Sequence, residues 1–202
     1  ALADADIIYS VAASNLTVGS GISLYVWDNM TFTPGGTVTT QGGAGDATVN
    51  TGATLSMGAN QLTVAGDLAV AGALSGTGGV SVSGGGVTGN GTITLTGGTF
   101  LVDGTGNFGG NSDWTFYDLT FGDGAGAATT TKTGSGNVTV SDVLTIAANQ
   151  TLDAGDDTWT LSGTTGTPFV KTGTFTPNSS TFVYSGNNAG GDTTITAATY
   201  NN

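Results

Sequence analysis

Apolar residues alternate with single polar residues in short triplets along most of the chain. These triplets lie at residues 62–64, 68–70, 80–82, 93–95, 119–121, 138–140, 144–146, 159–161 and 182–184. Alternation with a period of two predicts a short β-strand with one buried face. Glycine-rich stretches separate many of the triplets, and glycine accepts the positive φ angles that tight turns need. The pattern predicts an all-β protein built from many short strands.

The spacing of the triplets indicates a repeating coil. Residues 62–70 and 138–146 each contain two triplets that start six residues apart, as expected for strands on either side of a corner. A longer self-match aligns residues 54–67 with 143–156, where seven of fourteen positions agree at an offset of 89 residues. This offset divides into about four coils of roughly 22 residues, within the range of solenoid repeats. The first prediction is a β-solenoid similar to a parallel β-helix, and an antiparallel β-sandwich or jelly roll is the alternative.

The first residues of the chain differ from the glycine-rich body. Small or apolar side chains occupy the alternating positions Ala3, Ala5, Ile7, Tyr9 and Val11. This alternation predicts a two-faced extension strand within residues 1–20, followed by a single β-repeat domain over residues 21–202. The strand either caps the first coil of its own molecule or adds to a neighbouring copy as a donor strand, and both alternatives stay open.

The end of the sequence is also rich in β-forming residues. Residues 192–200 contain neither a proline nor a capping helix pattern, so we expect an uncovered strand edge there. Ile195 and Tyr200 are the candidate self-assembly residues at this end, and the alternating residues of the extension strand are the candidates at the other end. Head-to-tail contact between unlike surfaces propagates into a fibre. The expected partner of the protein is therefore another copy of itself.

Composition and charge exclude several classes of function. Charged residues are 8% of the chain, and it contains 37 Gly but no Cys and no His. All acidic residues are Asp, and the two basic residues are Lys132 and Lys171. Without His, Cys, Arg or Glu the chain cannot form a Ser-His-Asp triad or a usual zinc site, so we expect no enzyme. The net charge of −12 disfavours nucleic acid and anionic lipid, and no run of about 18 apolar residues spans a membrane.

Two groups of residues are candidates for ligand binding. Asp153, Asp156 and Asp157 supply carboxylate oxygens, which Ca²⁺ prefers, although a solvated turn is the simpler interpretation. No other cofactor is expected. Trp27, Trp114 and Trp159 would stack on sugars if exposed, but a large aromatic residue among apolar neighbours belongs more often to the core.

Residues 114–121 and 173–186 resemble the repeats of large bacterial surface proteins. The families to which they are most similar are filamentous-haemagglutinin-like and autotransporter-passenger solenoids. The resemblance covers roughly residues 50–200 and implies a solenoid with a structural or adhesive role at the cell surface. The sequence begins Ala-Leu-Ala-Asp without Met, which is expected of a mature exported chain, and we therefore expect an extracellular location.

Three functions follow, in order of preference. The first is a structural subunit of an extracellular filament or surface layer that polymerises by β-strand addition or end-to-end stacking. The second is a cell-surface adhesin or carbohydrate-binding module, with surface polysaccharide as its partner. The third is an ice-binding protein, which requires Thr pairs in register on one face. The candidate pairs are Thr92/Thr94, Thr158/Thr160 and Thr194/Thr196.

Overall fold

The structure of the chain is a computed structural model that describes residues 14–42, 45–164, 166–187 and 191–201. These residues form 24 β-strands and no helix, which confirms the predicted all-β class. None of them therefore belongs to a helix long and apolar enough to cross a membrane.

Three strands make up each turn of the chain. The first four turns comprise β1 (Leu16–Val18), β2 (Leu24–Val26), β3 (Thr31–Phe32), β4 (Val38–Thr40), β5 (Ala47–Val49), β6 (Thr54–Ser56), β7 (Leu62–Val64), β8 (Leu68–Val70), β9 (Ala73–Gly76), β10 (Val80–Val82), β11 (Val87–Thr88) and β12 (Thr92–Leu95). The next four turns comprise β13 (Thr99–Val102), β14 (Gly106–Gly109), β15 (Trp114–Phe116), β16 (Asp118–Phe121), β17 (Ala128–Lys132), β18 (Val138–Val140), β19 (Leu144–Ile146), β20 (Gln150–Asp153), β21 (Thr158–Leu161), β22 (Phe169–Lys171), β23 (Thr174–Thr176) and β24 (Thr181–Tyr184). Every third strand lies in the same sheet, so sheet A runs from β1 to β22, sheet B from β2 to β23 and sheet C from β3 to β24.

All three sheets are parallel, and each strand pairs with the equivalent strand of the next turn. Leu16 in the first turn and Phe169 in the eighth occupy equivalent positions in sheet A, so a turn averages about 22 residues. The fold is therefore a parallel β-solenoid of about eight turns, as first predicted. The alternative of an antiparallel sandwich or jelly roll was wrong.

The sequence repeats correspond to corners of the solenoid. β7 and β8 lie in sheets A and B, and β18 and β19 lie in sheets C and A, so strands that start six residues apart meet at a corner as expected. The 89-residue self-match does not span whole turns, because it aligns β6 of sheet C with β19 of sheet A. Both segments continue into a turn with a positive φ, at Gly58 (57°) and Asn149 (64°). These two residues are not equivalent in the match, because Gly58 aligns with Ala147 and Asn149 aligns with Asn60, so the match does not correspond to a structural repeat.

Stacked side chains fill the interior. The first inward column of sheet A contains Leu16, Val38, Leu62, Val80, Phe100, Leu119, Leu144 and Phe169. In the later turns the core is aromatic, and the ring centroid of Phe108 lies 5.3 Å from Trp114, 5.1 Å from Phe121 and 6.3 Å from Trp159. Burial of one large apolar side chain contributes about 1.5–3 kcal/mol, so these columns hold successive turns together.

Glycine allows the backbones of neighbouring turns to approach closely at the corners. A Cβ on Gly110 would lie 1.7 Å from the carbonyl oxygen of Gly89, and a Cβ on Gly91 would lie 1.9 Å from that of Gly72. Any side chain at these positions would push the stacked turns apart. The glycine-rich segments therefore set the distance between turns as well as the direction of the chain.

The predicted extension strand lies outside the described residues. Its candidate assembly residues, Ala3, Ala5, Ile7, Tyr9 and Val11, all precede the first described position. The choice between a cap and a donor strand stays open. Within the predicted segment 1–20, β1 already belongs to sheet A and pairs with β4.

Candidate functional site

The strands of the first and last turns have a neighbouring strand on one side only within the described residues. They are β1, β2 and β3 at one end and β22, β23 and β24 at the other. In β2, Leu24 N–H donates to the Asp46 carbonyl (2.9 Å), and the Val26 carbonyl accepts from Asn50 N–H (3.0 Å). Because successive residues of a parallel strand bond to opposite sides, the N–H and C=O of Tyr25 face away from the second turn. Within the described residues, the outer strands at each end therefore carry backbone groups that point away from the solenoid.

Large exposed hydrophobic side chains concentrate in the two end regions. In the first turn they are Ile22, Tyr25, Trp27 and Met30, each between 53% and 60% exposed. At the other end they are Val170, Val183 and Ile195. In the described turns between these regions, Tyr117 is the only other one. Exposed apolar surface that is concentrated in this way marks interaction sites.

The segment after the last turn lies across part of its open end. The ring of Tyr200 packs against Phe175, Phe182 and Tyr184, with centroids 5.8–6.3 Å apart. The hydroxyls of Tyr184 and Tyr200 lie 2.6 Å from each other. Burial, and then the hydrogen bond to Tyr200, raise the pKa of Tyr184 above its ordinary value, so this phenol stays protonated.

These contacts correct the expectation of an uncovered strand edge at this end. Residues 192–200 form no strand, and they cover part of the last turn. Thr196 Oγ1 donates to the carbonyl oxygen of Phe169. Ile195 is 60% exposed and accessible to another copy, whereas Tyr200 is half-buried against its own chain.

The outward residues of sheet C form two columns of short side chains. One column has hydroxyls in six consecutive turns, from Ser56, Ser75, Thr94, Thr115 and Thr139 to Thr160. The other column lies two residues earlier on each turn and contains Thr54, Ala73, Thr92, Asp113, Asn137 and Thr158. The predicted pairs Thr92/Thr94 and Thr158/Thr160 lie in these two columns. The pair Thr194/Thr196 lies outside the sheets.

The three carboxylates considered for Ca²⁺ do not converge. Asp157 Oδ2 accepts a hydrogen bond from Lys132 Nζ at 2.6 Å. Asp153 Oδ1 accepts from Asn178 Nδ2, and Asp156 is exposed. Nowhere in the described chain do three or more acidic residues form a group that could hold a metal ion. The fold therefore does not assemble the calcium site that the sequence suggested.

The fold instead buries an ion pair that sequence reasoning missed. The side chains of Lys132 and Asp157 are only 1% and 9% exposed. Lys132 Nζ also donates to the carbonyls of Thr133 (3.1 Å) and Gly134 (3.4 Å). Lysine is almost never fully buried, so the residue type alone gives no indication of this position. The one available signal was the alternation along β17, which places residue 132 inside, opposite Phe108 of the preceding turn.

The three tryptophans divide between the core and the surface. Trp114 and Trp159 are fully buried, as expected, and their indole N–H groups donate to the carbonyls of Gly91 (2.9 Å) and Ala154 (3.0 Å). Trp27 is 58% exposed, so the expectation of a core position was wrong for this residue.

The fold defines a class of protein: an all-β, three-sheet parallel β-solenoid of about eight turns. Comparisons with protein-family models, with curated proteins and with solved structures found no match to this chain. The resemblance based on residues 114–121 and 173–186 is thus confirmed for the solenoid fold, and no family is identified.

Proposed function

We propose that the protein is a structural, non-catalytic subunit of an extracellular filament that grows by end-to-end stacking of copies. The observation that carries this proposal is the concentration of outer strand edges and exposed apolar side chains at the two ends of the described solenoid. Contact between two unlike ends does not close on itself and therefore propagates. The resemblance to bacterial surface solenoids supports the same role.

Stacking in register would continue all three sheets from one copy into the next. Leu16 begins the first inward column of sheet A, and Phe169 ends it. The neighbouring hydrogen bonds direct the Thr17 N–H away from the second turn and the Phe169 C=O away from the seventh. A second copy would therefore bring a Thr17 N–H to the Phe169 carbonyl, in place of the hydroxyl of Thr196. Residues 1–13 supply a further candidate strand for the same contact.

The proline substitution Tyr25→Pro tests this contact. The backbone of Tyr25 makes no hydrogen bond to the second turn. Proline at this position therefore removes an outward-facing N–H and leaves the hydrogen bonds between β2 and β5 intact. We expect the purified wild-type chain to form fibres of constant width in negative-stain electron microscopy. The proline variant should remain folded, as measured by circular dichroism, and should assemble at least tenfold more slowly in sedimentation assays.

Tyr25→Thr is the matched control, because it removes the same ring but keeps the backbone N–H. Strand addition predicts that this variant still forms fibres. Fibre formation by Tyr25→Pro at the wild-type rate would exclude this edge as the contact. A wild-type chain that stays monomeric at every concentration would overturn the filament proposal and favour the adhesin or carbohydrate-binding alternative.

The hydroxyl columns of sheet C favour ice binding as a second candidate function. Parallel strands lie about 4.8 Å apart, and alternate residues on one strand lie about 6.6 Å apart, so the two columns form a regular grid. Six consecutive hydroxyls occupy one column, and the second column contributes short side chains that are mostly polar. Such a grid can order the water molecules of a lattice plane.

Thr139→Tyr interrupts this grid at the fifth of its six turns, and Thr120→Tyr places the same bulk on the outward face of sheet A. Both residues are outward-facing and half-buried, so neither change disturbs the core. An ice-binding face predicts that the wild-type chain and Thr120→Tyr inhibit ice recrystallisation and that Thr139→Tyr does not. Equal activity of the two variants, or no activity of the wild-type chain, would refute this second function.

A further inference from the structure

Lys132 and Asp157 form an oppositely charged pair that the fold removes from water. Their side chains are 1% and 9% exposed, and Nζ lies 2.6 Å from Oδ2. Lys132 ends β17 in the sixth turn, and Asp157 precedes β21 in the seventh, so their contact joins two adjacent turns. We infer that the two side chains condense into an amide bond, a covalent modification that the chain forms without another protein.

The lysine nitrogen is held in place for this reaction. Nζ donates to the carbonyls of Thr133 and Gly134 at 3.1 and 3.4 Å, which directs the nitrogen toward the carboxyl group of Asp157. Because Nζ lies at hydrogen-bond distance from Oδ2, it also lies close to Cγ, the carbon that carries Oδ2. Groups held in such geometry react as if at very high concentration, because no freedom of movement is lost in bringing them together.

The surroundings shield the pair from water. Phe108 is the register partner of Lys132, and the ring of Trp159 stacks on Phe108 at 6.3 Å between centroids with planes 19° apart. These rings help to exclude water from the pair, so that no solvent competes with Nζ for the carboxyl carbon. Transfer of one proton from the ammonium to the carboxylate gives a neutral amine and a neutral acid. The same exclusion of water protects the amide product from hydrolysis.

The bond-forming step balances within the pair. The lone pair of Nζ attacks Cγ of Asp157, the N–Cγ bond forms, and the C–OH bond breaks. The hydroxyl leaves with one proton from the nitrogen as a water molecule, so the step requires no oxidant, reductant or cofactor. The remaining amide N–H donates to the Thr133 carbonyl, and the carbonyl of Gly134, an exposed residue, turns to solvent.

The product closes residues 132–157 into a loop of about one solenoid turn. It ties the sixth turn to the seventh, so these turns cannot separate when the end of the molecule is pulled or frays. A subunit under tension gains resistance from this bond. The inference does not depend on filament formation, because the bond forms within one chain.

The intact mass of the full-length chain tests the inference. We expect the wild-type protein to be lighter than its sequence mass by one water molecule. After proteolysis, one fragment should join the peptide containing Lys132 to the peptide containing Asp157. Lys132→Arg and Asp157→Ala should have their full sequence masses, because arginine does not attack the carboxyl group and alanine has none.

Lys171→Arg is the matched control, since it replaces the other lysine of the chain and should leave the loss of one water unchanged. A loss of water that persists in Lys132→Arg would arise elsewhere, for example from an Asp-Gly sequence, and would overturn the inference. A wild-type chain with its full sequence mass would overturn it directly. Both readouts are measured on denatured protein, so they are valid even for a variant that folds poorly.

Discussion

Asp157→Ala is expected to lower the free energy of unfolding by about 3–5 kcal/mol, because removal of one partner of a buried ion pair leaves the other uncompensated. Lys132 would keep only the carbonyls of Thr133 and Gly134 as partners, at 3.1 and 3.4 Å, for a side chain that is 1% exposed. The same change removes any amide formed between the two residues. Urea unfolding followed by circular dichroism measures the loss.

Two further variants separate the buried charge from the substitution itself. Asp156→Ala changes the neighbouring exposed carboxylate and should alter stability by no more than about 0.5 kcal/mol. The double variant Lys132→Met with Asp157→Ala removes both charges and fills most of the space, so it should recover the part of the lost stability that comes from the uncompensated charge. A double variant as unstable as the single one would contradict this explanation.

Trp159→Ala is expected to cost about 3–5 kcal/mol, since it leaves a large cavity in the aromatic part of the core. Trp159 is fully buried, and its ring contacts those of Phe108 (6.3 Å), Phe121 (6.3 Å) and Phe182 (5.8 Å). These rings belong to the fifth, sixth and eighth turns, so one substitution weakens several interfaces between turns. Its indole N–H bond to the Ala154 carbonyl is lost as well.

The matched control for this prediction is Trp27→Ala, which makes the same chemical change at a residue that is 58% exposed. We expect this variant to unfold at nearly the wild-type urea concentration, because little burial is lost. Turns of a solenoid interact mainly with their neighbours, so Trp159→Ala should also let the late turns unfold before the early ones. Equal destabilisation by the two tryptophan substitutions would show that the aromatic stack does not hold these turns together.

The strands were predictable because their signal is local. Alternation places Leu62 and Val64 on one face and Thr63 on the other, whatever the neighbouring strand is. The turns were predictable for the same reason, because glycine and asparagine are the residues that accept positive φ angles. Trp27 was assigned wrongly because its apolar neighbours were considered and its phase was not: Leu24 and Val26 are buried in β2, so the next residue lies on the outward side.

The candidate metal site failed because closeness in the sequence is a poor guide at a corner. Asp153, Asp156 and Asp157 lie within five positions, yet the chain turns between β20 and β21 and directs Asp157 toward Lys132. That lysine belongs to the preceding turn, so the pairing depends on the length of the whole intervening coil. Turn lengths vary along the solenoid: Leu62 pairs with Val80, whereas Leu144 pairs with the more distant Phe169.

The sequence by itself determined the all-β class, the short strands and the corners. Each depends on interactions between residues a few positions apart, which composition and alternation record directly. The tertiary structure alone decided which residues stack in columns, that six hydroxyls of sheet C align, and that Lys132 meets Asp157 inside. These contacts join residues one turn apart, and their register is set by packing across turns of unequal length, which no local pattern specifies.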